Sequence, residues 1–223
     1  MSFNVAIDGP AGAGKSTVAR AVAGKLNMIY VDTGAMYRAM ALHVLRNDID
    51  PSNKAAVIES CRSADVTLRY EEGEQVVILN GDNVNACLRT EEVSRATSVI
   101  SVIPEVREKM VELQHSLAAV NDCIMDGRDI GTCVLPNAQL KVYLTADSAV
   151  RAKRRYDELI AKGENCDLKK IQADIEERDH RDMNREISPL RQAEDAVLVD
   201  TSKMSAEEVV EKIAGLCLEQ RGV

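Results

Sequence analysis

The chain has 223 residues, 45% of them hydrophobic, with a formal net charge of −8. That supports one core of ordinary size with small appended lobes, and the acidic total argues against non-specific binding to nucleic-acid polymers. The six cysteines show no CxxC or metal-type pairing, no signal-like segment opens the chain, and no apolar run nears the ~20 residues of a bilayer span, so we expect a cytoplasmic protein with reduced, mostly buried thiols and no membrane partner.

The first apolar run, Val5–Ile7, ends in "DGPAGAGKST", Asp8 to Thr17. Gly9, four residues, then Gly14-Lys15-Ser16 fit GxxxxGK[ST]; a strand precedes the loop and a helical run, Thr17–Leu26, follows it. Such a loop (Gly9, Pro10, Ala11, Gly12, Ala13, Gly14) wraps phosphates because its glycines keep side chains out of the way. Lys15 then bridges the β- and γ-phosphates, and the hydroxyl of Ser16, next to Thr17, ligates Mg²⁺. A GTPase would need an NKxD motif. The one Asn-Lys pair, Asn53-Lys54, is followed by Ala55-Ala56, so that reading fails.

A second run, Met28–Val31, leads into "VDTGAMYRAM". Asp32 and Thr33 stand at its carboxyl end, and Gly34 is expected to let the chain turn before a helix. Arg38 then lies about one turn inside, within reach of a phosphate, although a capped helix with a surface arginine reads the same way. Ala64–Ala86 departs from the pattern: "VTLRY", "EEGE" and "QVVILN" read as strand, turn and strand, with a third strand near Val84. This antiparallel hairpin is inserted between the second and third core strands. In "TSVISVIPEVREKM", Pro104 and Glu105 open a helix with Arg107 in its first turn. Cations are disfavoured there, so an anion, a polar ligand or a local glutamate should lie nearby.

The third run, Cys123–Met125, ends in "DGRDIGT". Asp126, beside the phosphate loop, suits a Walker-B-like role in ordering Mg²⁺ or its waters. Arg128 and Asp129 follow between the two candidate pockets; a turn held by aspartate side chains is the alternative. Leu140–Leu144 is the fourth strand. Next come Arg151, Arg154 and Arg155, then a turn with Gly163, then a helix capped by Asp167. Its stripe Leu168, Ile171, Ile175 extends to Arg178, Asp182 and Arg185, which predicts that these three face a ligand. Seven of the 17 arginines lie between Arg151 and Arg191. The two helices read as a lid over phosphates or as a pair of solvated helices. Ala196–Val199 is the fifth strand. Ser205 and Glu208 form a capping-box pattern before a last helix, Ser205–Leu218. Largely apolar strands alternating with helices predict a parallel sheet covered on both faces, with ligands at the strands' carboxyl ends.

"AIDGPAGAGKST", "VDTGAMYRAMAL", "DGRDIGTCVLP" and "ERDHRDMNR" resemble, in order and spacing, segments of the bacterial cytidylate kinases, in the P-loop nucleoside monophosphate kinase superfamily. The resemblance covers nearly the whole chain. It implies one kinase domain over residues 1–223: a five-stranded parallel sheet with helices on both faces, an inserted monophosphate-binding lobe at roughly 34–105 (hairpin about 64–86), and a short helical lid at roughly 151–188. It implies transfer of the γ-phosphate of ATP to CMP or dCMP with Mg²⁺; we expect the chain to act as a monomer. Lys15, Arg128, Asp129 and Arg185 would be catalytic. Residues Gly9 to Thr17 with Arg151, Arg154 and Arg155 would hold ATP. Thr33, Arg38, Arg128 and Arg185 match positions that bind the CMP phosphate. Ser98, Arg107 and Asp129 match positions that read cytosine, and Arg178 and Asp182 positions near the ribose. Another acceptor, such as UMP or AMP, is the nearest alternative. A nucleotide-binding module without turnover is disfavoured, since it needs no second arginine-lined pocket.

Overall fold

The computed structural model describes residues 2–71 and 74–222. Strand β1 (Asn4–Asp8) leads through the glycine-rich loop into helix α1 (Lys15–Leu26), and β2 (Ile29–Asp32) into α2 (Thr33–Arg46). Helix α3 (Lys54–Ser63) precedes a small antiparallel sheet of β3 (Val66–Glu71), β4 (Glu74–Leu79) and β5 (Asp82–Asn83). A 3₁₀ turn at Asn85–Cys87, α4 (Glu91–Ile100) and α5 (Pro104–Val120) then return the chain to β6 (Cys123–Gly127). One π-type turn at Ile130–Val134, β7 (Leu140–Thr145), α6 (Ser148–Ala161), α7 (Leu168–Asn184), β8 (Val197–Asp200) and α8 (Ala206–Arg221) complete it.

Five strands form one parallel sheet in the order β2-β6-β1-β7-β8. The period-2 alternation of strand side chains divides the core. Val5 and Ile7 of β1 pack with α1 and α8 on one face. Ala6, with Val31 and Met125, packs with α2, α5 and the inserted lobe on the other. The expected parallel sheet, covered on both faces, is therefore present. The hairpin is also as expected, with register Val66↔Leu79 to Glu71↔Glu74. Its third strand is Asp82–Asn83, just ahead of Val84. Within the expected "EEGE" turn, residues 72 and 73 lie outside the described residues. The lobe leans on the β2 edge: Gln75 Oε1 accepts from Asp32 N at 2.7 Å, and Tyr70 OH donates to Tyr30 O at 3.1 Å.

The caps follow local chemistry. Ser205 and Glu208 form the reciprocal capping box of α8, and Asp167 accepts from Lys170 N to start α7. Gly34 departs from expectation. It sits inside the first turn of α2, which Asp32 caps by accepting from Ala35 N at 2.8 Å. A Cβ there would lie 3.2 Å from both Arg38 Nη1 and Asp32 Oδ1, so the glycine leaves room for that ion pair and makes no turn. All six cysteines are free, and three are buried: Cys61, Cys123 and Cys217; Cys133 is exposed. No described helix is long and apolar enough to cross a membrane.

Candidate active site

The carboxyl ends of β1, β2 and β6 open into a cleft of about 680 Å³. Its floor is the loop after β1. Gly9 has φ +151, and a Cβ on it would fall 1.9 Å from Leu144 O of β7, so no side chain fits. Helix α1 begins at Lys15, two residues earlier than expected, and points its N–H groups into the cleft. Lys15 is buried and donates to Pro10 O at 2.8 Å. Burial, then the nearby Arg128, lowers its pKa to about 7, against the pull of Asp126. An ammonium held among other cations in a dry loop is poised for an anionic ligand.

Ser16 donates to Asp126 Oδ2 and Tyr30 to Asp126 Oδ1, both at 2.8 Å. Burial, with Asp32 alongside, raises the Asp126 pKa. A hydroxyl and a carboxylate are hard oxygen donors that fit magnesium, which keeps most of its ligands as waters and phosphate oxygens. Among the described residues no group of three His, Cys, Asp or Glu could hold a metal by itself. Behind the loop, Asp8 accepts from Ile130 N and Gly131 N at 2.8 and 2.7 Å. Burial raises its pKa to about 6 despite those two bonds.

The far wall is made of ion pairs. Arg38 Nη2 lies 3.1 Å from Asp32 Oδ2, while its buried Nε–H has no acceptor among the described residues. Arg107 pairs with Asp129 at 2.5 Å, both buried. Asp129 is the anion that the arginine in the first turn of α5 was expected to need. Its other oxygen lies 3.3 Å from Arg185 Nη2. Arg128 Nε donates to Asp182 Oδ2 at 2.8 Å, and its Nη1 donates to Gly127 O at 3.2 Å. Thr33 donates to Asp126 O at 2.7 Å. Ser98 is exposed at the cleft rim and donates back to Ser94 O. Tyr37, which the sequence reading did not single out, stands in this wall with Arg107 over its ring, and burial pushes its hydroxyl up to about 12.

Of the residues expected at the site, Lys15, Ser16, Thr33, Arg38, Ser98, Arg107, Asp126, Arg128, Asp129, Arg178, Asp182 and Arg185 share this cleft. The α7 stripe needs one correction. The buried residue after Ile175 is Asp179, four positions on; Arg178 is exposed and flanks the cleft. The expected lid arginines do not line the cleft. Arg151 is buried behind the loop, donating to Ala11 O and Ala146 O and pairing with Asp179. Arg154 donates to Thr201, and Arg155 pairs with Glu158 on the surface.

Residues 5–218 match the family model described as cytidylate kinase. The chain is 49% identical over 214 residues to the cytidylate kinase of Caldicellulosiruptor bescii, covering 96% of this chain and 95% of that one. It is also 49% identical to that of Lactobacillus gasseri, covering 95% and 92%. Among solved structures, the gluconokinase of Sinorhizobium meliloti aligns over 97% of this chain and 92% of its own with a TM-score of 0.50 at 12% identity, which speaks to the fold alone.

Proposed function

Since the chain belongs to the cytidylate kinase family, ATP-dependent nucleoside monophosphate kinases, we propose that this cleft transfers the γ-phosphoryl group of ATP directly to the phosphate of CMP or dCMP. One observation carries the assignment of residues: a phosphate loop and a separate wall of Arg38, Arg128, Arg178 and Arg185 line one cleft.

The loop N–H groups and Lys15 hold the ATP phosphates. Arg38, Arg128 and Arg185 hold the acceptor phosphate, with Thr33 at the edge between the two. The acceptor is already an anion, so no general base is needed. The two phosphates would repel each other in free solution. Here the arginines and Lys15 offset that repulsion and keep the reacting oxygens in line. Ser16, with Asp126 behind it, would hold Mg²⁺, which supplies charge neutralisation on the phosphates when bound. Asp129, clasped between Arg107 and Arg185, reads the base together with Ser98. Asp129 or Ser98 accepts from the cytosine N4 amine, and Arg107 donates to N3 or O2. Uracil would set a carbonyl against those acceptors and an N–H against Arg107. Hydrogen-bonded sites reject such mismatches strongly. Arg178 and Asp182 adjoin the ribose. We assign residues 34–105 to the acceptor lobe and α6–α7 to the lid. We propose that the chain acts as a monomer.

The test is an ADP-release assay across CMP, dCMP, UMP, AMP, GMP and shikimate. CMP or dCMP should be the best acceptor. A higher kcat/KM for any of the others would overturn the assignment of the base site.

A further inference from the structure

Helices α6 and α7 pair with each other, and each buries only two residues: Arg151 and Ala152 in α6, Ile175 and Asp179 in α7. Two of these four bond to one residue of the phosphate loop, Ala11. Ala11 N donates to Asp179 Oδ1 at 3.1 Å. Ala11 O accepts from Arg151 Nη1 at 2.7 Å. The same Nη1 lies 2.6 Å from Asp179 Oδ2, and Arg151 Nε is anchored on Ala146 O at 2.8 Å. The neighbouring Gly12 faces the same two helices: a Cβ there would make ordinary contacts, 3.5 Å from Arg151 Cβ and 3.8 Å from Ile175 Cδ1. Both polar groups of Ala11 are thus held by a buried ion pair that bridges the two lid helices.

We infer that Asp179 is a positioning residue: through Ala11 and Arg151 it sets the phosphate loop in register with the base of the lid. It does not line the cleft. The ion pair is sequestered from solvent, so it is weakly screened, and three hydrogen bonds to backbone groups fix its geometry. Without the carboxylate, Ala11 N–H loses its acceptor and Arg151 is left as an unpaired buried cation. The N–H array downstream of Ala11 then loses its anchor, and ATP binding suffers while the acceptor wall does not. This inference rests on residues 9–17 holding the ATP phosphates.

The test compares Asp179→Leu, Asp179→Asn and Lys15→Ala by steady-state kinetics, with calorimetric binding of CMP and of a non-hydrolysable ATP analogue. Asp179→Leu should raise KM for ATP about thirtyfold and leave the CMP Kd within about twofold. Asp179→Asn still offers Ala11 an amide oxygen, so it should raise KM for ATP by only about threefold. If the leucine variant fails to fold, the asparagine variant decides alone. Equal losses for ATP and CMP, an unmoved ATP constant, or equal damage by leucine and asparagine would each reduce Asp179 to a purely structural role and overturn the inference. Lys15→Ala separates the two levels: if it leaves ATP use intact, the assignment of the loop itself fails.

Discussion

Replacing Arg128 with alanine tests how the cleft divides its cations between the two substrates. Arg128 spends Nε on Asp182 and one bond of Nη1 on Gly127 O, which leaves the outer edge of the guanidinium for the acceptor phosphate proposed there. Hydrogen bonds to charged groups are worth roughly 1.5–3 kcal/mol. Losing one or two here should cost about 3 kcal/mol, roughly a hundredfold in kcat/KM for CMP. ATP should respond differently. Arg128 is the strongest charge lowering the Lys15 pKa, second only to burial. Its removal lets Lys15 hold its proton to higher pH, so KM for ATP should stay level or fall. The alkaline limb of kcat/KM for ATP should also move upward. Coupled ADP-release assays from about pH 6 to about pH 9, varying each substrate in turn, measure both effects. Parallel rises in the ATP and CMP constants would falsify this division of the cleft, as would an alkaline limb that moves down.

Two other substitutions probe the site from different sides. Asp8→Asn should remove a pH dependence of stability. The folded pKa of Asp8 is raised to about 6 from 3.8. Its contribution is therefore fully present below about pH 3.8 and is lost as pH rises through 6, about 3 kcal/mol at ~1.4 kcal/mol per unit. Urea unfolding of both proteins at about pH 4 and about pH 7 measures the difference; parallel changes would show that Asp8 keeps an ordinary pKa. Asp182→Ala should narrow the discrimination between CMP and dCMP by roughly tenfold, since a charged hydrogen bond to a hydroxyl is lost. An unchanged CMP to dCMP ratio of kcat/KM counts against placing it at the ribose.

What the sequence discloses here is what is local. The phosphate loop is readable because a backbone cradle demands Gly9, Gly14, Lys15 and Ser16 at fixed spacing. The capping box of α8 closes within four residues. The pairing of Arg107 with Asp129 is not readable, because only the return of α5 to β6 brings them together. The arginine's awkward place near a helix start signalled that a partner existed without naming it. Helix α4 is signalled only by its Thr90 cap and by Val93, Ala96 and Ile100 at helical spacing. In α7 a step of three from Ile175 points to Arg178. A step of four, the one that joins Ile171 to Ile175, would have found Asp179. Arg151 looked like its solvated neighbours Arg154 and Arg155, and nothing in its local pattern marks it as buried.

The strand order has a consequence for the making of this protein. The first two core strands, β1 and β2, are not neighbours; β6 separates them and pairs with both. A nascent chain that has not yet emerged past residue 123 therefore holds two apolar strands with no native partner. The inserted hairpin, whose partners are adjacent in sequence, can already form. Long-range parallel pairing is slow and leaves sticky edges exposed. The first two strands of the sheet cannot pair until β6 is made, so their apolar edges stay open to aggregation until it arrives.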